Sequence, residues 1–241
     1  YIQNPELEGA GLFGRCSAAN ISNIVINGVN ISAQAYIAAV AGNAYTSDIS
    51  NCKVIGTVQL SGHYDIGTIT GYTYGDVVNC SVTAEEGSYL EGSYKEPDLE
   101  GDNVGGVVGF LGEGSGTIVN SSVTGLVISG VRKVGSILGF AHHGTELTDC
   151  NVSDISIQYN GENVPSDYSS AISLGGIVGE VMGAQTDVLI KDVNLNDVTV
   201  TAKDGAETEC GIYVGTVRNA STTAEAAKTV TLAEVSYENS S

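Results

Sequence analysis

The chain has no tryptophan, one methionine, three phenylalanines and three prolines in 241 residues. So few bulky apolar side chains argue against an ordinary globular core. The few prolines exclude collagen-like sequence, and no apolar run approaches the eighteen residues of a membrane span. Basic residues are also scarce: nine Lys plus Arg stand against 28 Asp plus Glu, a formal net charge of −19. That charge repels nucleic acid and anionic membrane surfaces, so neither is an expected partner, and no membrane insertion is expected. A β-helix lyase acting on acidic sugars normally uses a concentrated basic or metal-bound cleft, and nine scattered basic residues argue against one. Helical spacing is nowhere sustained; Thr223–Lys228 is the sole Ala/Glu/Lys-rich stretch.

What the chain does have is glycine, 32 residues of it, placed periodically. A small residue, any residue, an apolar residue, any residue and a glycine recur seven times: AGLFG, AAVAG, GTITG, GGVVG, GSILG, GGIVG and GIYVG. The closing glycines are Gly14, Gly42, Gly71, Gly109, Gly139, Gly179 and Gly215, at intervals of 28, 29, 38, 30, 40 and 36 residues. Such a period marks stacked units, none able to bury its apolar face alone. The closing glycine is expected where φ is positive or where the chain turns too tightly for a Cβ.

A second signature follows each glycine: an apolar residue, any residue, Asn or an acid, then a small or apolar residue, as in Ile49-Ser50-Asn51-Cys52 and Val77-Val78-Asn79-Cys80. Two positions on runs an apolar column of Ile26, Val54, Val82, Val123, Val152, Leu195 and Tyr237, and a third short apolar stretch comes after it. Short β-branched runs bounded by Gly, Asn, Asp and Ser are strand signals. The apolar residue and the Cys of the second signature lie three apart, so both point inward only if the chain bends near the Asn. One repeat therefore reads as three short strands with two or three corners. The expected fold is all-β: a parallel β-solenoid (β-helix) of about seven rungs, roughly 34 Å tall, with loop insertions along one edge. The general crossover preference makes it right-handed. Residues 1–241 read as one solenoid domain, and the start at Tyr1 in mid-pattern suggests an excised piece of a larger protein or a mature form. Asn23, Asn51, Asn79 and Asn120 suggest an internal amide ladder. Asp149, Asp192 and Glu234 continue that column, accepting turn N–H groups or attracting a proton or a cation.

These motifs resemble the GLUG-motif repeat of bacterial surface proteins, named for a Gly-Leu-x-Gly core to which Gly11-Leu12-Phe13-Gly14 comes close. The resemblance spans about residues 9 to 237. It implies a bacterial secreted or cell-surface protein, in which such repeats form non-catalytic regions of adhesin-like proteins and of immunoglobulin A peptidases. It brings no catalytic residue, and the chain has no H-E-x-x-H stretch.

Insertions in a solenoid project from one edge and often form its binding face. Here they are Glu85–Asn103, Gln158–Ser173 and Lys203–Cys210, with Ser61–Asp65 at a similar point. Tyr64, Tyr89, Tyr94, Tyr159 and Tyr168 are the candidate binding residues, since tyrosine offers broad contact area and stacks on sugar faces. The alternative is that these acidic loops cover a corner and keep it soluble. No cofactor is expected. Glu96, Asp98, Glu100 and Asp102 are weak candidates for calcium, with neither an EF-hand loop nor a G-G-x-G-x-D nonapeptide around them. His142-His143, near Glu146, is a weak metal candidate at a turn. Five cysteines exclude complete pairing within the chain. Cys52, Cys80 and Cys150 share a buried column, where thiols act as small hydrophobes, and a Cys52–Cys80 bridge between adjacent rungs is within geometric range. Three functions remain open: an adhesin-like binding region or stalk for a host glycan or protein, an accessory region of a large secreted peptidase, and a polysaccharide-active β-helix.

Overall fold

The computed structural model describes residues 1–94, 103–112, 116–142, 144–161, 172–182, 187–202, 208–218 and 230–239. Among them there is no helix. The strands form two sheets of 20 and seven members, and every strand pair is parallel. The seven strands of the smaller sheet, Phe13–Ser17 to Val214–Arg218, each carry one closing glycine, one per rung. The chain is a parallel β-solenoid.

A central rung shows why these residues fold so. Val77–Val78 ends at Asn79, whose φ is 54°. This corner lets Val77 and Cys80 both point inward, as the odd spacing requires. Asn23, Asn51, Asn120, Asp149, Asp192 and Glu234 take the same left-handed conformation in the other rungs. Asn and Asp tolerate it because their short polar side chains bond locally. Ser81–Ala84, Tyr89–Gly92 and Asn103–Gly105 follow, then a bend, then Val108–Leu111. A rung thus holds five short strands, not three. The two extra strands flank the bend of the glycine signature, where glycine interrupts the apolar alternation that marks a strand.

The closing glycine serves close approach rather than positive φ. A Cβ on Gly109 would lie 2.6 Å from the Gly71 carbonyl oxygen and 2.7 Å from the Ile66 nitrogen. Both are distances at which the backbone itself would have to move. The stack is therefore pinched along its whole glycine column, with backbone of the smaller sheet against backbone of the larger.

The core follows the register. Ile49, Val77, Ile118, Leu147 and Ile190 stack in one column, and Val54, Val82, Val123, Val152 and Leu195 in another; all are buried. Val40, Ile69, Val107, Ile137 and Ile177 are fully buried at the bend. Leu12, their counterpart in the rung of Phe13–Ser17, is 59% exposed. Cys52, Cys80 and Cys150 are buried, and all five thiols are free, so the Cys52–Cys80 bridge is not formed. The hydrogen bond with Cys52, together with burial, pushes the Cys80 thiol up; burial pushes Cys150 up to about 12.

Three of the four asparagines form the amide ladder, and it runs outside the stack; Asn23 Nδ2 donates instead to Ser22 Oγ at 3.1 Å. Asn79 Nδ2 donates to Asn51 Oδ1 at 2.5 Å and Asn120 Nδ2 to Asn79 Oδ1 at 3.2 Å, and all three residues are exposed. A left-handed corner turns its side chain to solvent while its neighbours point in. At the acidic end of the column the cation is a side chain: Lys191 Nζ lies 3.2 Å from Asp192 and 3.9 Å from Glu234. The hydrogen bond between these carboxyl groups, with Lys191 beside it, holds Asp192 down, and the same bond raises Glu234.

Candidate functional site

Two columns of outward side chains meet beside the glycine pinch. One stands directly after the closing glycine in the smaller sheet: Arg15, Asn43, Tyr72, Phe110, Phe140, Glu180 and Thr216. The other lies two residues before the first glycine of the signature in the central rungs: Asp65, Asn103, Lys133, Ser173 and Glu209. The tight bend folds the two strands of each rung together, so the columns form a seam along the stack.

Aromatic rings fill its middle. Tyr72 stacks on Phe110 with centroids 4.9 Å apart and planes 13° from parallel, matching the strand spacing. Phe110 continues to Phe140 at 5.1 Å, and Phe140 meets His142 edge-on at 5.9 Å. Around Tyr72 three further tyrosines gather. Tyr36 meets it edge-on at 5.6 Å, Tyr74 at 5.3 Å, and Tyr45 meets Tyr74 at 5.0 Å. Tyr72 donates its hydroxyl hydrogen to the Tyr74 hydroxyl oxygen at 2.7 Å. Burial first, and then that bond, raise the Tyr72 phenol. Tyr45, 49% exposed, carries the cluster to solvent, and Arg15 lies over the Tyr36 ring at 5.8 Å.

Charge and hydroxyls fill the second half. Lys133 Nζ sits 4.0 Å from the Phe140 ring centroid. Burial pushes the Lys133 amine down, opposed by the Glu180 carboxylate. Glu180 is almost fully buried and pairs with Arg218 at 3.4 Å. Ser173 and Thr216 share a hydrogen bond, and the Thr216 hydroxyl bonds Glu209.

Of the residues singled out in the sequence, His142 joins the seam at Phe140; the tyrosines lie elsewhere. Tyr64 and Tyr89 are in strands, Tyr64–Gly67 and Tyr89–Gly92; Tyr89 stands in register with Gln59 and Val127. Part of the Glu85–Asn103 insertion is therefore ladder. Tyr94 follows that strand, and Tyr159 closes Glu146–Tyr159 and packs on the core. His63 meets Tyr64 edge-on at 6.3 Å. Tyr168, Glu96, Asp98, Glu100, Asp102 and His143 lie outside the described residues. Among the described residues, no three His, Cys, Asp or Glu side chains gather as a metal site. The strands that follow three of the insertions, Asn103–Gly105, Ile172–Gly175 and Thr208–Gly211, belong to one ladder, so these insertions rejoin the stack along one edge, beside the seam.

The seam had a signal in the sequence. Gly71-Tyr72, Gly109-Phe110 and Gly139-Phe140 place an aromatic directly after three consecutive closing glycines. Compared with models of known protein families, with curated proteins and with solved structures, the chain matches none.

Proposed function

We propose that this chain is a non-catalytic module of a bacterial secreted or cell-surface protein. It acts as a rigid stalk that presents an adhesin-like binding face to a host glycan or protein. One observation carries the reading: Tyr36, Tyr45, Tyr72 and Tyr74 form an edge-to-face cluster at the surface of an in-register ladder. The scaffold holds the rings at fixed spacing, so little side-chain entropy is lost when a partner docks. Tyrosine hydroxyls beside ring faces suit a sugar, whose faces are apolar and whose rims are hydroxylated. The resemblance to GLUG-motif repeats and the net charge of −19 favour a soluble surface module.

A glycan array probed with the wild-type chain and with a Tyr45→Ala/Tyr74→Ala variant tests this function. The expected result is selective wild-type binding, weakened at least about tenfold in the variant, in line with the loss of a stacking contact. Equal binding by both chains, or none by the wild type, overturns the glycan-binding role.

A further inference from the structure

Asp65, Asn103 and Lys133 stand side by side on three consecutive strands of one ladder. Asn103 is the direct register partner of Lys133, and the pairing of Val104 with Ile66 sets it opposite Asp65. All three are buried, with exposures of 7%, 3% and 7%. Burying three polar side chains together is costly unless each is satisfied, and here satisfaction is incomplete. Asn103 Nδ2 donates to Asp65 Oδ1 at 2.6 Å, but Asn103 Oδ1 has no hydrogen-bond partner. Lys133 rests on the Phe140 ring with no carboxylate at ion-pair distance among the described residues. A buried lysine held in this way carries a larger share of neutral amine, the form that attacks carbonyl carbon.

We propose that Lys133 and Asn103 join in an intramolecular isopeptide bond, with Asp65 as the proton-transfer group. Register neighbours on parallel strands have Cα atoms about 4.8 Å apart, so the lysine stem spans the gap once it turns from the Phe140 face. The Nζ lone pair attacks Asn103 Cγ and a C–N bond forms. The Cγ–Nδ2 bond then breaks. Asp65, whose Oδ1 accepts from Nδ2, takes a proton from Nζ as the C–N bond forms and hands it to the departing nitrogen. Ammonia leaves, an amide joins the two side chains, and Asp65 ends as it began. No oxidant, metal or cofactor enters the balance. Amide exchange that is very slow between free molecules becomes feasible where both groups are fixed side by side and buried from water, with Phe140 against the amine. The bond ties the fourth rung to the fifth, whether or not the module binds a glycan.

The experiment is intact-mass spectrometry of the purified full chain, followed by proteolysis and tandem sequencing. The wild type is expected one ammonia lighter than its sequence, about 17 Da. A branched peptide pair should join Lys133 to Asn103. Lys133→Arg and Asn103→Ala should each keep the full sequence mass. Asp65→Asn, which suits the left-handed backbone at this position (φ 49°), should lack the bond or form it far more slowly. Wild-type protein at full mass, with a strand-rich circular dichroism spectrum, overturns the proposal even if a variant fails to fold. A loss of the same mass that persists in Lys133→Arg and gives no branched peptide marks a succinimide and overturns it equally. Bond formation in Asp65→Asn at the wild-type rate removes Asp65 from the mechanism.

Discussion

Asn79 performs two tasks at one position. Its backbone supplies the left-handed corner, and its amide links Asn51 to Asn120 on the outside of the stack. These tasks separate by substitution. Asn79→Ala loses both and should lower stability by about 1–2 kcal/mol, the cost of a left-handed conformation for a residue with a Cβ. Asn79→Gly keeps the corner and loses only exposed hydrogen bonds, so its urea midpoint should lie between those of Ala and wild type. Equal midpoints for the two variants would show that the amide ladder, not the corner, carries the effect. The Asn column was legible because the odd spacing from Ile49 to Cys52 demands a bend. Its exposure was not, since a recurring Asn looks alike in sequence whether its amides stack inside or outside.

At the scale of the element, the unit is the strand, bend and strand around each glycine signature. Gly109→Ala places a methyl group against the backbone of the neighbouring rung, where no rotamer change can relieve it. A loss of about 3 kcal/mol is expected, read as a lower urea midpoint; a change under about 0.5 kcal/mol, the range of an ordinary surface substitution, would refute the pinch. The position of this unit was plain from seven recurrences of the signature. Its two strands were hidden, because Gly105 and Gly109 stand where an alternating pattern would show side chains. The aromatic seam was hidden for a related reason: Tyr72, Phe110 and Phe140 share their column with Arg15, Asn43, Glu180 and Thr216, so only its middle looks apolar. The insertions drew notice to Tyr89 and Tyr94 instead, though Tyr89 is a ladder residue.

At the scale of the whole molecule, self-repulsion works against burial. A net charge of −19 on a narrow stack opposes its compactness. Raising sodium chloride from about 0.02 to 0.5 M shortens the Debye length several-fold, so the urea midpoint should rise; a constant or falling midpoint would place the charges too far apart to matter. Stacking itself was readable from the glycine period, since no single repeat can enclose a core. The parallel pairing also sets the direction in which the molecule is weak. Backbone hydrogen bonds between rungs point along the stack, so a pull on its two ends opens them one ladder at a time, like a zipper. Each rung that peels away frees about 30 residues, roughly 100 Å of slack chain. Under tension the module would therefore lengthen in discrete steps from its ends and dissipate a sudden tug before passing it on.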